Sequence, residues 1–433
     1  MKILSLSLFS LLIVFSSCKK DPEPTPAPTT GTVSGIVTDF DTSSAIADVT
    51  VILFDAATNA PVMTTVTDAS GNYSFEIEGG SYFIKFSGQG YLPNPPVGIN
   101  PIPFTIVNGE ITDKPAQMIA SGSSTDGFIS GQITDGSAGV AGVLVVAELN
   151  GVAYSAITDQ DGNYSIFNVP AGTYAVTAFI AGYSSTVADA IVTASTETTA
   201  VDVTLTTGAA GSFNGTISII SQTGIVTAPT TMDISLVHPV TRETIPGLSQ
   251  SVTYSSSMSF SFADLADGTY IVRASYANDY IVVDPNEIAT KGEYIVTVSG
   301  GAAADIAIKA TSAVSLSSPT NTMDTTIPIE VTSAIPTFTW LQYPSTSDYV
   351  IEVIDATTGT VIWGGFSNNF TAKNIVVNGL TIDYNSDGNA TIPSLESGKV
   401  YQWKVYASKN DTSVLGWHLI SSSEDQMGLI KIQ

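Results

Sequence analysis

Apolar and polar positions alternate along most of the chain. In Gly31 to Asp39, GTVSGIVTD, one parity holds Val33, Gly35 and Val37. In Phe128 to Asp135, FISGQITD, the same parity holds Ile129, Gly131 and Ile133. A two-residue period puts one set of side chains on one face of a strand, so each segment predicts a half-buried strand. A second strand follows in both copies, with Val49, Val51 and Leu53 matching Val143, Val145 and Ala147. Then Thr67-Asp68-Ala-Ser-Gly71-Asn72-Tyr73 recurs as Thr158-Asp159-Gln-Asp-Gly162-Asn163-Tyr164. Asp bonds its own following backbone, and Gly and Asn accept positive φ, so each copy predicts a hairpin turn with Gly71 or Gly162 in the left-handed region. Gly80-Ser81-Tyr82 and Gly172-Thr173-Tyr174 each open a further strand, which Gly90-Tyr91 and Gly182-Tyr183 close.

A third copy is worn down. Phe213 to Ile219 is its first strand, and FSFADLADGTY from Phe260 to Tyr270 aligns with YSIFNVPAGTY from Tyr164 to Tyr174. It lacks the Asp-x-x-Gly-Asn turn. Residues 314–433 change character and hold all four tryptophans. Phe338 and Trp340 share one parity, as do Tyr401, Trp403 and Val405, and these predict core. No helical period stands out beyond the N-terminus.

The expected fold class is therefore all-β: tandem β-sandwich modules after a signal peptide and a Pro-rich linker. The expected units are a signal peptide at 1–17, a linker at 18–30, and sandwiches at 31–121, 126–207, 211–310 and 314–433. Strung in order, they predict a rod. The order of motifs over residues 31–310 resembles the carboxypeptidase regulatory-like domain, a prealbumin-like sandwich related to the Cna-B and starch-binding-like folds. That resemblance implies a fold and no peptidase activity. Cna-B relatives form an internal isopeptide bond from a first-strand Lys, and the first strands of residues 31–310 contain none, so none is expected there. Residues 314–433 resemble a fibronectin type III domain, with Leu395, Gly398 and Tyr401 where that family has its tyrosine corner.

Charge narrows the possible partners. The chain has 14 basic and 39 acidic residues, a net charge of −25, and no Lys or Arg between Lys114 and Arg242. A nucleic-acid binder must neutralise phosphates, so no nucleic-acid partner is expected.

The N-terminus gives an address. Met1-Lys2 precedes an apolar run from Ile3 to Phe15. Thirteen residues are too few to span a bilayer, which takes about 20. Ser16-Ser17-Cys18 follows, and Cys18 is the single cysteine of the chain. The segment resembles the lipobox of bacterial lipoproteins, which implies cleavage before Cys18 and lipid attachment to it. Several acyl chains on one residue hold a protein stably on a membrane. Lys19-Lys20-Asp21 resembles signals that carry lipoproteins to the surface of the outer membrane. Asp21 to Thr30, DPEPTPAPTT, favours extended polyproline II and predicts a stalk.

Chemistry-bearing motifs are few. His238 and His418 stand in different modules, outside any zinc-peptidase pattern. No nucleophile elbow, Walker loop or dinucleotide fingerprint is present. No catalytic residue is expected. Asp383, Asn385, Asp387 and the main chain at Asn389 follow the opening of a calcium loop, but Ser394 stands at the twelfth position, where that loop has Glu. Asp159-x-Asp161-Gly-Asn163 is a weaker candidate. Both patterns are also what a plain hairpin turn uses, so the two readings stay open, and calcium is the single cofactor considered. Trp363 and Trp417 are the tryptophans that the pattern does not place in a core, which leaves them as candidate sugar platforms. The expected function is a non-catalytic binding, adhesion or structural array on the outer-membrane surface. The alternatives are a glycan-capture lipoprotein and an accessory subunit of an envelope enzyme or transporter.

Overall fold

The computed structural model describes residues 29–433 apart from 97–98, 123–124, 221–230, 254–257, 277–280, 286–293, 323–324 and 368–369. The signal segment, Cys18 and the Pro-rich linker up to residue 28 lie outside the described residues.

Each of the three repeats closes two sheets over an apolar layer. In the second, Asn163–Val169, Gly127–Thr134, Val203–Thr207 and Tyr183–Ser185 lie side by side in that order. Facing them are Val152–Ile157, Leu144–Leu149, Gly172–Phe179 and Ala188–Val192. The third repeat keeps this order despite its eroded sequence. Met258–Leu265, Gly211–Ile220, Ile306–Ser312 and Ile281–Val283 face Thr244–Thr253, Thr231–Val237, Gly268–Tyr276 and Tyr294–Val298. In the first, Gly31–Asp39 pairs antiparallel with Asn72–Ile77 and parallel with Ile111–Asp113 and Ala116–Met118. The second sheet of the first repeat runs Pro61–Val66, Thr50–Asp55, Gly80–Ser87, Phe104–Ile106.

Two repeated details show why these sequences fold alike. The Asp-x-x-Gly-Asn turns form as the pattern predicts. Asp68 and Asp159 each accept from the backbone N–H groups two and four residues on, and Gly71 and Gly162 sit at φ 76° and 80°. The Gly-x-Tyr strand openings share a bond as well. Tyr82, Tyr174 and Tyr270 donate their hydroxyls to the carbonyls of Glu78, Pro170 and Ala266 at 3.0, 3.0 and 2.8 Å.

The first-strand glycine is a steric requirement. Gly35, Gly131 and Gly215 stand in register opposite Tyr73, Tyr164 and Phe260. A Cβ on Gly131 would lie 2.2 Å from the Val201 carbonyl and 3.1 Å from the Tyr164 ring. The opposing ring crosses the glycine, and the Tyr164 hydroxyl reaches the Val201 carbonyl at 2.6 Å. Glycine in a strand often marks such a close approach.

The fourth unit has a different plan. A three-stranded sheet, Leu316–Ser318, Thr337–Trp340 and Thr381–Asp383, faces a larger one centred on Asp348–Asp355 and Val400–Asn410. Phe338, Trp340, Trp403 and Tyr401 fill the space between. The Tyr401 hydroxyl accepts from the Glu396 backbone N–H at 3.0 Å.

The four units do not form a rod. The first touches each of the other three. Asn168 accepts from the Gly90 backbone N–H at 2.7 Å, Asn59 donates to Ser249 at 2.9 Å, and Lys431 reaches Asp41 at 2.6 Å. Leu92 and Ile119 of the first unit pack with Val400 and Leu429 of the fourth. The cause lies in the central strands. Thr50–Asp55 and Leu144–Leu149 are buried on both faces. Val51 and Leu53 serve the first sandwich's own core, while Ile52 and Phe54 turn outward against Ile157 of the second. Likewise Leu144 and Val146 join the cluster of the third module beside Ile234 and Leu236. An unbroken apolar run reads as a strand covered on both sides. A rod would leave these outer faces in water.

Candidate functional site

A cleft of about 880 Å³ opens where the four units meet. The first contributes Tyr91 and Asn100, the second Tyr154, Phe167 and Asn168. The third contributes Arg242, Glu243 and Arg273, and the fourth Glu352, Gln402, Lys404 and Asp425. Both arginines of this strongly acidic chain line the cleft.

Arg242 is placed by a tight turn between Thr231–Val237 and Thr244–Thr253. Its backbone N–H donates to the His238 carbonyl at 2.9 Å, and its own φ is 59°. His238 organises that turn. Its Nδ1 accepts from the N–H groups of Val240 and Thr241 at 3.3 and 3.2 Å, so the ring proton belongs on Nε2. The ring is 5% exposed and lies 4.8 Å from the Phe179 ring of the second module. Burial, with the Arg242 charge beside it, pushes His238 down to about 4. It is therefore neutral at physiological pH, a packing element beneath the charged rim. The sequence pattern had assigned it no role.

The far wall is an ionic network. Lys404 Nζ lies 2.5 Å from Asp425, and their side chains are 20% and 31% exposed. Burial alone would raise the Asp425 carboxyl, but Lys404, helped by Arg273 and Arg242, holds it below the ordinary range. Burial likewise works against the Lys404 charge, and Asp425, Glu352 and Glu424 overcome it and push Lys404 up. Gln402 donates to the Asp425 carbonyl at 2.9 Å, and Tyr406 donates to Glu352 at 3.0 Å. Arginines of the third unit thus face carboxylates of the fourth across the cleft. Lys85 of the first unit pairs with Glu243 of the third.

Chemically, the cleft offers donors and acceptors of both signs beside the partly exposed rings of Tyr91, Tyr154 and Phe167. That combination suits a polar ligand with some apolar surface.

The residues singled out from the sequence lie elsewhere. Asp383, Asn385, Asp387 and Asn389 do come together in one turn of the fourth unit, away from the cleft. Each is engaged within the protein. Asp383 accepts from Thr337 at 2.5 Å, and Asn385 accepts from the Ala390 N–H at 2.9 Å. Asp387 accepts from the Trp363 indole at 2.7 Å and from the Asn389 amide at 3.0 Å. Among the described residues, no group of three or more His, Cys, Asp and Glu is placed to hold a metal ion. Trp363 and Trp417 are 2% and 9% exposed, so neither is a sugar platform. His418 pairs with Asp411 at 2.6 Å, far in sequence from His238.

Comparison with known proteins adds family information for part of the chain. Chitinase ChiA of Flavobacterium johnsoniae is 35% identical over 170 residues, 38% of this chain and 10% of the chitinase. The chain thus spans about a tenth of the length of that curated relative. The Bacillus anthracis TIE protein aligns over 66% of this chain and 51% of its own, at 12% identity and a TM-score of 0.18. The major pilin subunit BcpA of Bacillus cereus aligns over 65% and 99%, at 12% identity and a TM-score of 0.19. Two stretches, residues 32–102 and 128–206, match the family described as the carboxypeptidase regulatory-like domain, and these are the first two sandwiches.

Proposed function

We propose that this chain is a non-catalytic binding array whose ligand seat is the cleft among the four units. In this reading a lipid on Cys18 holds it to the outer membrane, facing outward, and the Pro-rich segment sets it off from the surface. Residues 314–433 act as a fibronectin type III-like module. The observation that carries the proposal is the convergence of side chains from all four units, both arginines included, on one cleft. Repeated sandwiches have no need to meet in this way if each acts alone.

Within that reading, a glycan ligand is favoured over a charged one. The cleft carries acids and bases together, with Asn100, Asn168 and Gln402 beside the three aromatic rings. Neutral hydroxyls can bond to both signs of charge, whereas an ionic ligand would meet like charge on one wall.

The test is a polysaccharide and glycan array probed with the native chain and with Tyr154→Ala and Arg273→Ala. Hits lost in both variants support the glycan-binding cleft. Hits that survive in both variants place binding elsewhere, and an array without hits removes the glycan reading. A Cys18→Ala variant tests the anchor separately: it should leave the membrane fraction, and retention there would refute lipid attachment.

A further inference from the structure

One wall of the cleft continues onto an outer sheet face of the second module. Ser165 and Phe167 line the cleft and belong to Asn163–Val169. On that strand they alternate with Tyr164 and Ile166, which fill the module's core, so they point outward. The neighbouring strand Gly127–Thr134 carries Phe128, Ser130 and Gln132 on the same outer face, with Ile129 and Ile133 turned inward. Ser130 stands in register opposite Ser165. The ring centres of Phe128 and Phe167 are 5.9 Å apart, and both side chains are partly exposed. Aromatic surface therefore runs from the cleft wall onto the sheet. Polar groups continue it along the strand. Ser130 donates to Glu197 at 2.5 Å, and Asp202 accepts from the Gln132 backbone N–H at 2.8 Å. The Gln132 side chain donates to the Asp161 carbonyl at 2.9 Å. From Phe128 to Gln132 the strand rises about 13 Å.

We propose that this face extends the cleft into a track for one long, neutral polysaccharide chain, whose units beyond the cleft lie over Phe128, Ser130 and Gln132. The proposal rests on the reading of the cleft as a glycan seat and adds the length and the charge of its ligand. A sugar ring offers an apolar face to an aromatic ring and hydroxyls to the polar groups around it. Aromatic surface with a few placed donors and acceptors suits that chemistry. Charge sets the class of chain. The second module contains no Lys or Arg, and the carboxylates of Asp161, Glu197 and Asp202 are exposed around the face. A uronic-acid or sulfated chain would meet like charge along the track, with no cation of the module to offset it. Neutral hydroxyls can donate to those same carboxylates.

Calorimetric titration of the full chain tests this. The probes are glucose, mannose, xylose and N-acetylglucosamine oligomers, from disaccharides to octasaccharides, with oligogalacturonates as the acidic series. Native affinity for a neutral series should rise with chain length. Phe128→Ala should flatten that rise, the loss growing with length to about tenfold for the longest oligomer. Phe128→Tyr keeps the ring and should keep the rise. Tyr154→Ala, in the cleft, should weaken binding at every length. If Phe128→Ala melts early, Gln132→Ala at the far end of the track supplies the same comparison for the longest oligomers. A Phe128→Ala chain that follows the native one at each length would overturn the track and leave the cleft reading standing. Binding lost in Phe128→Ala but untouched in Tyr154→Ala would overturn both. So would binding of an oligolysine peptide where no neutral oligomer binds. Oligogalacturonates held as tightly as the neutral series would overturn the assigned class.

Discussion

The Trp363 indole donates to Asp387 at 2.7 Å, and this one bond settles the place of two residues that the sequence presented as unrelated candidates. Trp363 is 2% exposed, stacked against Phe338 and edge-on to Tyr384. Asp387 is the acceptor that lets a polar indole be buried there. Burial would raise its carboxyl, but the Trp363 N–H, followed by the Asn389 bonds, holds it below the ordinary range.

Asp387→Ala should therefore destabilise the fourth unit by about 1–2 kcal/mol, the cost of leaving a largely buried donor without its partner. Asp387→Asn keeps an acceptor and should cost less. Thermal melts of the two variants with EDTA and with added calcium check this. The account expects no calcium-dependent shift in the native chain; a shift abolished by Asp387→Ala would make the turn an ion site instead.

His238 should give the contact between the second and third modules a pH dependence. The unfolded chain takes up this proton near pH 6.5, the folded one only near 4. Between those values the unfolded state binds more protons, so stability is full above about pH 6.5 and falls as the pH drops toward 4. The difference amounts to about 3 kcal/mol, at about 1.4 kcal/mol for each unit of pKa. Melting temperatures from pH 7.5 to 4.5 should fall more steeply in the native chain than in His238→Asn. Comparing the two cancels titrations they share, and parallel curves would show that His238 is not the sensor.

Gly131→Ala places a methyl 2.2 Å from the Val201 carbonyl and against Tyr164. Neither atom belongs to a flexible side-chain end, so the strand pairing must shift. The expected cost is about 2 kcal/mol or more, in the range of core overpacking. An equilibrium denaturation midpoint equal to that of the native chain would contradict the close approach.

Local order was legible in the sequence, and long-range order was not. The hairpin turns at Gly71 and Gly162 could be read because Asp, Gly and Asn carry their own backbone preferences. The third sandwich could be read through FSFADLADGTY, since the spacing of Gly268 and Tyr270 survives where the turn does not. Trp363 could not be placed, because its partner Asp387 lies 24 residues away in a loop whose own composition suggests a cation. The cleft was invisible for a similar reason: it is assembled from outer faces of separate modules, such as Arg273 facing Asn100 at 3.5 Å. One signal was present. Val51 to Phe54 and Val143 to Ala147 are apolar at every position, and reading only alternate residues as core passed over Ile52, Phe54, Leu144 and Val146.

Closure of the four units around one cleft is the premise on which the proposed function rests, and small-angle X-ray scattering of residues 29–433 in solution tests it most directly. A single closed body of this length should have a radius of gyration of about 22 Å. Four modules of about 13 Å each, strung end to end, would give about 40 Å. A value near the first, with contacts such as Lys431 to Asp41 in place, agrees with a shared cleft. A value near the second would contradict it, and would return the chain to a row of independent sandwiches.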